Sequence, residues 1–127
     1  MIIGHHCTWD VYNCQSDKLC YVPYIEEVLN KVVEELKLTK VNSAFKQFEP
    51  VGVTGFILLS ESHISIHTWP EHNFAAIDVF SCQSFNVEMV NTMLKKFLGS
   101  DKVECQQLHR GGLPKPHLSN DKNLSVK

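Results

Sequence analysis

The chain has 127 residues, 43% hydrophobic and 20% charged, a balance that favours one globular domain with a modest core and disfavours a second domain. Its formal net charge is −2, and its lysines and arginines are scattered, which disfavours nucleic acid or an anionic membrane as a partner. No apolar run approaches the roughly 18 residues of a membrane helix. The N-terminus does not resemble a signal peptide, so a cytoplasmic location is expected.

The first third of the chain predicts a strand, a loop and a helix. Residues 2–12 contain β-forming residues among polar ones, and the polar cluster at 13–17 is typical of a turn. Between 24 and 38 apolar residues recur at spacings of three and four, with Pro23 tolerated near the start. This region therefore predicts an amphipathic helix, whose buried face comprises Ile25, Val28, Leu29, Val32, Val33 and Leu36.

The middle of the chain predicts four strands separated by short turns. Their ranges are 40–48, 53–60, 63–69 and 74–80. Gly55 falls inside the second of these strands, where a glycine indicates a bulge or the close approach of another group.

The last third predicts a second helix, a final strand and a tail. The helix begins after Asn86, a favourable N-cap, and ends at Gly99, while Val87, Val90, Met93, Leu94 and Phe97 form its apolar face. A strand is predicted over 102–109. Residues 112–127 are rich in Gly, Pro, Ser, Asn and Lys, which predicts a disordered tail.

These elements predict an α+β fold for a single domain over 1–111. Because the connections between strands are too short for most parallel crossovers, we expect a two-layer sandwich with an antiparallel sheet and both helices packed on one face. The other face of the sheet then needs a cover, which a second copy of the chain would supply as a dimer. The five cysteines include no CxxC pair and are expected to be reduced thiols.

The run HISIHTW at 63–69 places two imidazoles and two hydroxyls in a predicted strand. Alternation directs Ile64 and Ile66 to one face and His63, Ser65 and His67 to the other, so a strand with one solvated side is one interpretation. A zinc site that adds His5 or His6 and a cysteine is weakly supported, because strand positions four apart are about 13 Å apart. A serine hydrolase is also poorly supported, since no G-x-S-x-G motif surrounds a serine.

The block GVTGFILLSESHISIHTWPEHNFAAIDVFSC at 52–82 resembles the bacterial-type S-adenosylmethionine decarboxylase proenzymes. The shared features are ESH, IHTWPE, the following AAID strand and the cysteine after it. The resemblance extends to GHH near the N-terminus, FKQF before the turn, and the RG at 110–111. It therefore covers the chain in order from about residue 4 to 111.

This resemblance implies a proenzyme that cleaves itself between Glu61 and Ser62 into 1–61 and 62–127. Ser62 would attack the Glu61 carbonyl in an N-to-O acyl shift, and β-elimination followed by hydrolysis would convert Ser62 into a pyruvoyl group. His67 is implied as the proton acceptor in processing and Thr54 as the processing hydroxyl. The implied cofactor is this pyruvoyl group, with no metal.

The resemblance also implies the reaction. The pyruvoyl ketone would form a Schiff base with the substrate amine and act as electron sink, and Cys82 would donate a proton after CO₂ leaves. The product, decarboxylated S-adenosylmethionine, is an aminopropyl donor for spermidine biosynthesis. Phe48 and Trp69 are candidates for stacking on the adenine, and Glu71 for accepting hydrogen bonds from the ribose.

Two other functions stay open at this point. One is a pyruvoyl decarboxylase of the same fold that acts on ornithine or arginine, in which Glu49, Asp10 or Asp78 would hold the basic end of the substrate. The other is an unprocessed homologue without catalytic activity.

Overall fold

The computed structural model of the chain describes residues 2–112. Within this range the elements are β1 (Gly4–Tyr12), α1 (Val22–Glu35), β2 (Lys40–Gln47), β3 (Val53–Leu59), β4 (Ser62–Trp69), β5 (Phe74–Ser81), α2 (Val87–Leu98) and β6 (Lys102–Arg110). Every predicted strand and helix is present, with differences at the ends. The expectation of disorder over 112–127 falls on residues that lie, apart from 112, outside the described range.

The strands of residues 2–112 form one six-stranded sheet in the order β2-β3-β4-β5-β1-β6. Each neighbouring pair is antiparallel. Helix α1 packs over β2 and β3, and α2 packs over β1 and β6, so both helices cover the same face. The predicted α+β two-layer fold is confirmed.

Helix α1 differs from its prediction at both ends. It begins at Val22 because Pro23 fits the first turn, where its missing N–H is not needed. It ends at Glu35, three residues before the predicted end, because Lys37 adopts the left-handed conformation at φ 58°. The apolar spacing alone did not predict this end, since Leu36 and Leu38 still pack partly against the core.

The core lies between the sheet and the helices and follows the predicted periodicities. The strands contribute alternate residues, among them Trp9, Ile57, Ile64, Ile66 and Ile77, and each of these is almost completely buried. Full burial of one such aliphatic side chain stabilises the fold by about 1.5–3 kcal/mol. Gly55 marks a close approach, as predicted, because a Cβ there would collide with the ring of Phe45.

The opposite face of the sheet, here called the open face, is the one that the helices leave uncovered. A row of rings crosses it from β3 to β1: Phe56 to His63, His63 to Phe80 and Phe80 to His6, with centroid separations of 5.6, 5.8 and 5.5 Å. Phe56 and Leu58 are 41% and 43% exposed. The open face therefore combines aromatic and apolar groups with the histidines that the sequence singled out.

Candidate active site

A hydroxyl and an imidazole meet on the open face where β3 pairs with β4. Thr54 and His67 are directly opposite each other in the antiparallel register. Thr54 Oγ1 lies 3.2 Å from His67 Nδ1, which is hydrogen-bonding distance. The structure thus places together two of the predicted processing residues, in an arrangement that permits proton transfer between a hydroxyl and a base.

This pair opens into a cavity of about 520 Å³. The cavity is lined by Phe48, Glu49, Pro50, Val51, Gly52, Thr54, His67, Thr68, Trp69 and Glu71. All three predicted substrate-binding residues are therefore in its wall. Trp69 is 39% exposed and Phe48 is 46% exposed, so neither ring is a core residue. The Trp69 ring stacks on His67 with centroids 6.1 Å apart.

The wall behind the cavity is held by the segment between β1 and α1. Thr68, which is buried, donates a hydrogen bond from Oγ1 to the Leu19 carbonyl at 2.8 Å and accepts one from the Val53 N–H at 2.9 Å. Ser16 donates to the Pro70 carbonyl at 3.0 Å. These bonds connect the start of β3, which carries Thr54, and the end of β4, which carries Trp69, to the same segment between β1 and α1.

The predicted cleavage bond lies at the other end of β4. Ser60 and Glu61 form the short turn from β3, and Ser62 is the first residue of β4. The backbone N–H of Cys82 donates to the Glu61 carbonyl oxygen at 3.1 Å. A donor at this oxygen is what stabilises the negative charge that develops when a nucleophile attacks the carbonyl carbon.

Ser62 and His67 do not meet within one chain. They are five positions apart on a regular strand, about 16 Å at 3.3 Å per residue, and alternation directs them to opposite faces. Bringing the two residues together within one chain would need a strained turn or bulge around 60–63; a turn is present at 60–61, but β4 is regular from Ser62 and the two residues stay apart. The β3–β4 register is unshifted, and the described non-glycine residues with positive φ are Asn13, Lys37 and Asn73.

The five cysteines, all within residues 2–112, are free thiols that differ in exposure. Burial raises the pKa of Cys7 and of Cys14 to about 11, and burial also raises the pKa of Cys105. Such thiols stay protonated and unreactive near neutral pH. Cys82, in contrast, is exposed directly after β5, beside Glu61.

The acids considered for a basic substrate are separated by the fold. Glu49 lines the cavity together with Glu71. Asp10 and Asp78 lie on β1 and β5 instead, where Asp78 Oδ2 is 3.5 Å from His6 Nε2. For a metal, no group of three or more His, Cys, Asp or Glu side chains in the described part of the chain is arranged to hold an ion.

Two parts of the site were not predicted from the sequence. Residues 49–52 were predicted as a turn in which Glu49 alone was considered for the substrate, yet Pro50, Val51 and Gly52 also line the cavity. The hydrogen bond from the Cys82 amide to Glu61 also depends on strand pairing, which residue types do not reveal. The one sequence signal for the loop was Gly52. Its φ of +116° is a backbone conformation that residues other than glycine rarely adopt.

The fold and this site define an α+β protein with a hydroxyl–imidazole pair at an open cavity. A family model described as S-adenosylmethionine decarboxylase matches residues 5–111. The chain belongs to that family. No helix within residues 2–112 has the length and apolar character needed to cross a membrane.

Relatives and one solved structure agree with this assignment. An Archaeoglobus fulgidus protein named S-adenosylmethionine decarboxylase proenzyme is 38% identical over 104 residues, which cover 82% of this chain and 91% of that protein. A Clostridium botulinum protein of the same name is 38% identical over 109 residues, which cover 85% and 94% respectively. The crystal structure of the adenosylmethionine decarboxylase from Aquifex aeolicus superposes with a TM-score of 0.79 at 35% identity, covering 92% of this chain and 98% of the other.

Proposed function

We propose that this protein is a self-processing, pyruvoyl-dependent decarboxylase that converts S-adenosylmethionine to decarboxylated S-adenosylmethionine, the aminopropyl donor for spermidine biosynthesis. The observation that carries the proposal is the Thr54–His67 pair at a cavity lined by an aromatic ring and carboxylates, in a chain of this family. Relatives named as proenzymes support the self-processing step.

Self-cleavage begins with addition of Ser62 Oγ to the Glu61 carbonyl carbon. The C–N bond between Glu61 and Ser62 breaks, and an ester joins the two parts of the chain. The Cys82 N–H, 3.1 Å from the Glu61 oxygen, stabilises the oxyanion in this step. Thr54 of a second copy of the chain supplies a second hydroxyl, for the reason given below.

Elimination then separates the two chains. His67 of the second copy takes the Cα proton of Ser62 while the Cβ–Oγ bond breaks, which releases Glu61 as a free carboxylate. Hydrolysis of the remaining dehydroalanine leaves a pyruvoyl group at position 62 and ammonia. The residues fit this product, since Glu61 and Ser62 are both partly exposed and Cys82 lies beside them.

Decarboxylation takes place at the same position, beside Cys82. The pyruvoyl group supplies an electron sink for the carbanion that is left when CO₂ departs. Cys82 is the proton donor to this carbon, since its thiol is exposed and its backbone N–H bonds to Glu61, the residue before position 62.

The cavity matches the chemistry of S-adenosylmethionine. Phe48 and Trp69 offer exposed aromatic faces for the adenine and the sulfonium cation. Glu71 offers carboxylate oxygens that accept hydrogen bonds from the ribose hydroxyls. The concave, partly apolar lining with few polar groups is typical of a small-molecule site.

The complete site requires two copies of the chain. Because Ser62 and His67 lie about 16 Å apart at opposite ends of β4, one chain supplies two half-sites. In a symmetric dimer that joins the open faces, with the two-fold axis near the middle of β4, the Glu61–Ser62 end of β4 in each copy lies near the His67 end of β4 in the other. The exposed Phe56 and Leu58 supply apolar area for this contact.

The proposal is tested by intact mass spectrometry, followed by a CO₂ assay with S-adenosylmethionine, ornithine and arginine in parallel. We expect fragments 1–61 and a pyruvoyl-blocked 62–127, with CO₂ from S-adenosylmethionine alone. CO₂ from ornithine or arginine would instead establish the alternative substrate class. An uncut, inactive chain would reject the enzymatic function.

The control for this experiment is a pair of serine variants. Ser62→Ala removes the nucleophile and is expected to give one uncut, inactive mass. Ser43→Ala removes a hydroxyl on β2, away from the cleavage bond, and is expected to process as wild type. Normal cleavage of Ser62→Ala would contradict the assignment of the cleavage site.

A further inference from the structure

We infer that Gln47 is the positioning residue of the substrate cavity, because its side-chain amide fastens the loop 48–52 to the segment that precedes α1. This inference rests on the proposed function. Gln47 ends β2 and is partly buried, while each of the five residues that follow it lines the cavity. Gln47 is itself not part of the cavity wall, so it acts through the loop.

The amide nitrogen of Gln47 is surrounded by three carbonyl oxygens. Nε2 donates to the carbonyls of Cys20 at 2.8 Å, Phe48 at 3.1 Å and Gly52 at 3.1 Å. A primary amide has two hydrogens, so both are used and one is shared. The first acceptor precedes α1 and the other two are the two ends of the loop.

The amide oxygen of Gln47 binds the N-terminus of α1. Oε1 accepts a hydrogen bond from the N–H of Val22, the first residue of α1, at 2.9 Å. Tyr21, in the N-cap position, makes no side-chain cap bond. Gln47 therefore serves as the cap from a distant strand, satisfying an N–H that a helix leaves free.

Within residues 2–112, the loop makes two further hydrogen bonds, both between backbone groups. Its ends are joined by a bond from the Phe48 N–H to the Gly52 carbonyl at 2.8 Å, and the Gly52 N–H donates to the Cys20 carbonyl at 3.0 Å. Through its side-chain amide, Gln47 connects both ends of the loop to the Cys20 carbonyl. Loss of this donor frees Phe48 and Glu49 to move, which weakens substrate binding more than the chemical step.

The test compares Gln47→Met with Gln47→Lys. Both replacements are unbranched, and both lose the acceptor for the Val22 N–H, so both are expected to lower the Tm by several degrees, roughly the effect of one lost helix cap. Lysine retains donors for the three carbonyls, whereas methionine has none. A merely structural role would affect the two variants alike.

We expect Gln47→Met to raise KM for S-adenosylmethionine about tenfold with kcat within about twofold, as for the loss of roughly 1.4 kcal/mol of binding. Gln47→Lys is expected to restore KM to near the wild-type value. The control, Gln107→Met, alters an exposed residue on β6 at the opposite edge of the sheet and is expected to change neither quantity. An unchanged KM in Gln47→Met, or an equal rise in both Gln47 variants, would overturn the inference.

A second measurement separates this inference from the proposed function. If wild-type protein does not decarboxylate S-adenosylmethionine, the proposed function fails, and hydrogen exchange at the Phe48 and Gly52 amides then tests the loop alone. Faster exchange in Gln47→Met than in Gln47→Lys supports the positioning role, and equal exchange refutes it. If Gln47→Met does not fold, Gln47→Glu replaces it, because glutamate keeps the acceptor for Val22 and removes the donor; a rise in KM is again the expected result.

Discussion

At the scale of single residues, the proposed chemistry depends on where β3 and β4 align their side chains. Thr54 and His67 are opposite each other, so an oxygen and a ring nitrogen come within 3.2 Å. The sequence predicted both residues from a family resemblance. Their contact follows from the antiparallel register, which is set by the short turn at Ser60 and Glu61.

Removal of the Thr54 hydroxyl tests its role in processing. We expect Thr54→Val to slow self-cleavage roughly a hundredfold, because the methyl groups fill the same space but cannot exchange a hydrogen bond with His67. Thr54→Ser keeps the hydroxyl and should process at near the wild-type rate. The measurement is the fraction of cut chain against time; equal rates for the valine and serine variants would contradict the role.

Cys82 is expected to act after cleavage rather than during it. Cys82→Ala keeps the backbone N–H that donates to Glu61, so the variant should still cut itself. Turnover should fall by roughly a hundredfold or give a wrongly protonated product, because the proton donor is missing. Mass spectrometry and product analysis check the two steps, with Cys105→Ala on β6 as the thiol control. Unchanged turnover and product in Cys82→Ala would remove it from the mechanism.

At the scale of elements, the helices show which sequence signals are reliable. Helix α2 begins and ends at the predicted residues, because Asn86 Oδ1 accepts from the Met89 N–H at 3.0 Å and Gly99 adopts the left-handed conformation at φ 66°. Helix α1 has no such local cap among the described residues and relies on Gln47 instead. Local caps can be recognised in a sequence, whereas a cap from a strand 25 positions away cannot.

The N-cap of α2 provides a stability test. Asn86→Ala should lower the free energy of unfolding by about 1 kcal/mol, since one N–H in the first turn loses its partner. Asn86→Asp should retain most of this stability, because a carboxylate also caps and is favoured by the helix dipole. Urea denaturation measures both variants, and equal losses for alanine and aspartate would contradict the role of the cap.

At the scale of the whole molecule, the separation of Ser62 from His67 has a direct consequence for the proposed dimer. A site that takes Ser62 and Cys82 from one copy and Thr54 and His67 from the other can be restored by mixing two inactive variants. A site within one chain cannot be restored in this way. The proposed dimer is thus testable without a structure of the complex.

Coexpression of Ser62→Ala and His67→Ala chains is the experiment. In a mixed dimer one of the two sites has an intact Ser62 and an intact His67, so part of the His67→Ala population should be cut. The Ser62→Ala chains should remain whole, since they lack the nucleophile. Each variant expressed alone is the control, and absence of cleavage in the mixture would reject the shared site.

The amino-acid sequence was enough to predict the element types and the fold class, and to indicate which residues are candidates for the chemistry. Apolar periodicity reports which face of each element is buried, and the run at 52–82 carries enough distinctive residues to indicate the family. Tertiary structure alone decided which of these residues meet. Strand register placed Thr54 against His67 and the Cys82 amide against Glu61, and it kept Ser62 about 16 Å from His67. The contact of Gln47 with α1 joins residues 25 positions apart in the chain, and it forms because the fold brings the end of β2 next to the start of the helix. The spacing of residue types in the sequence does not predict such a contact.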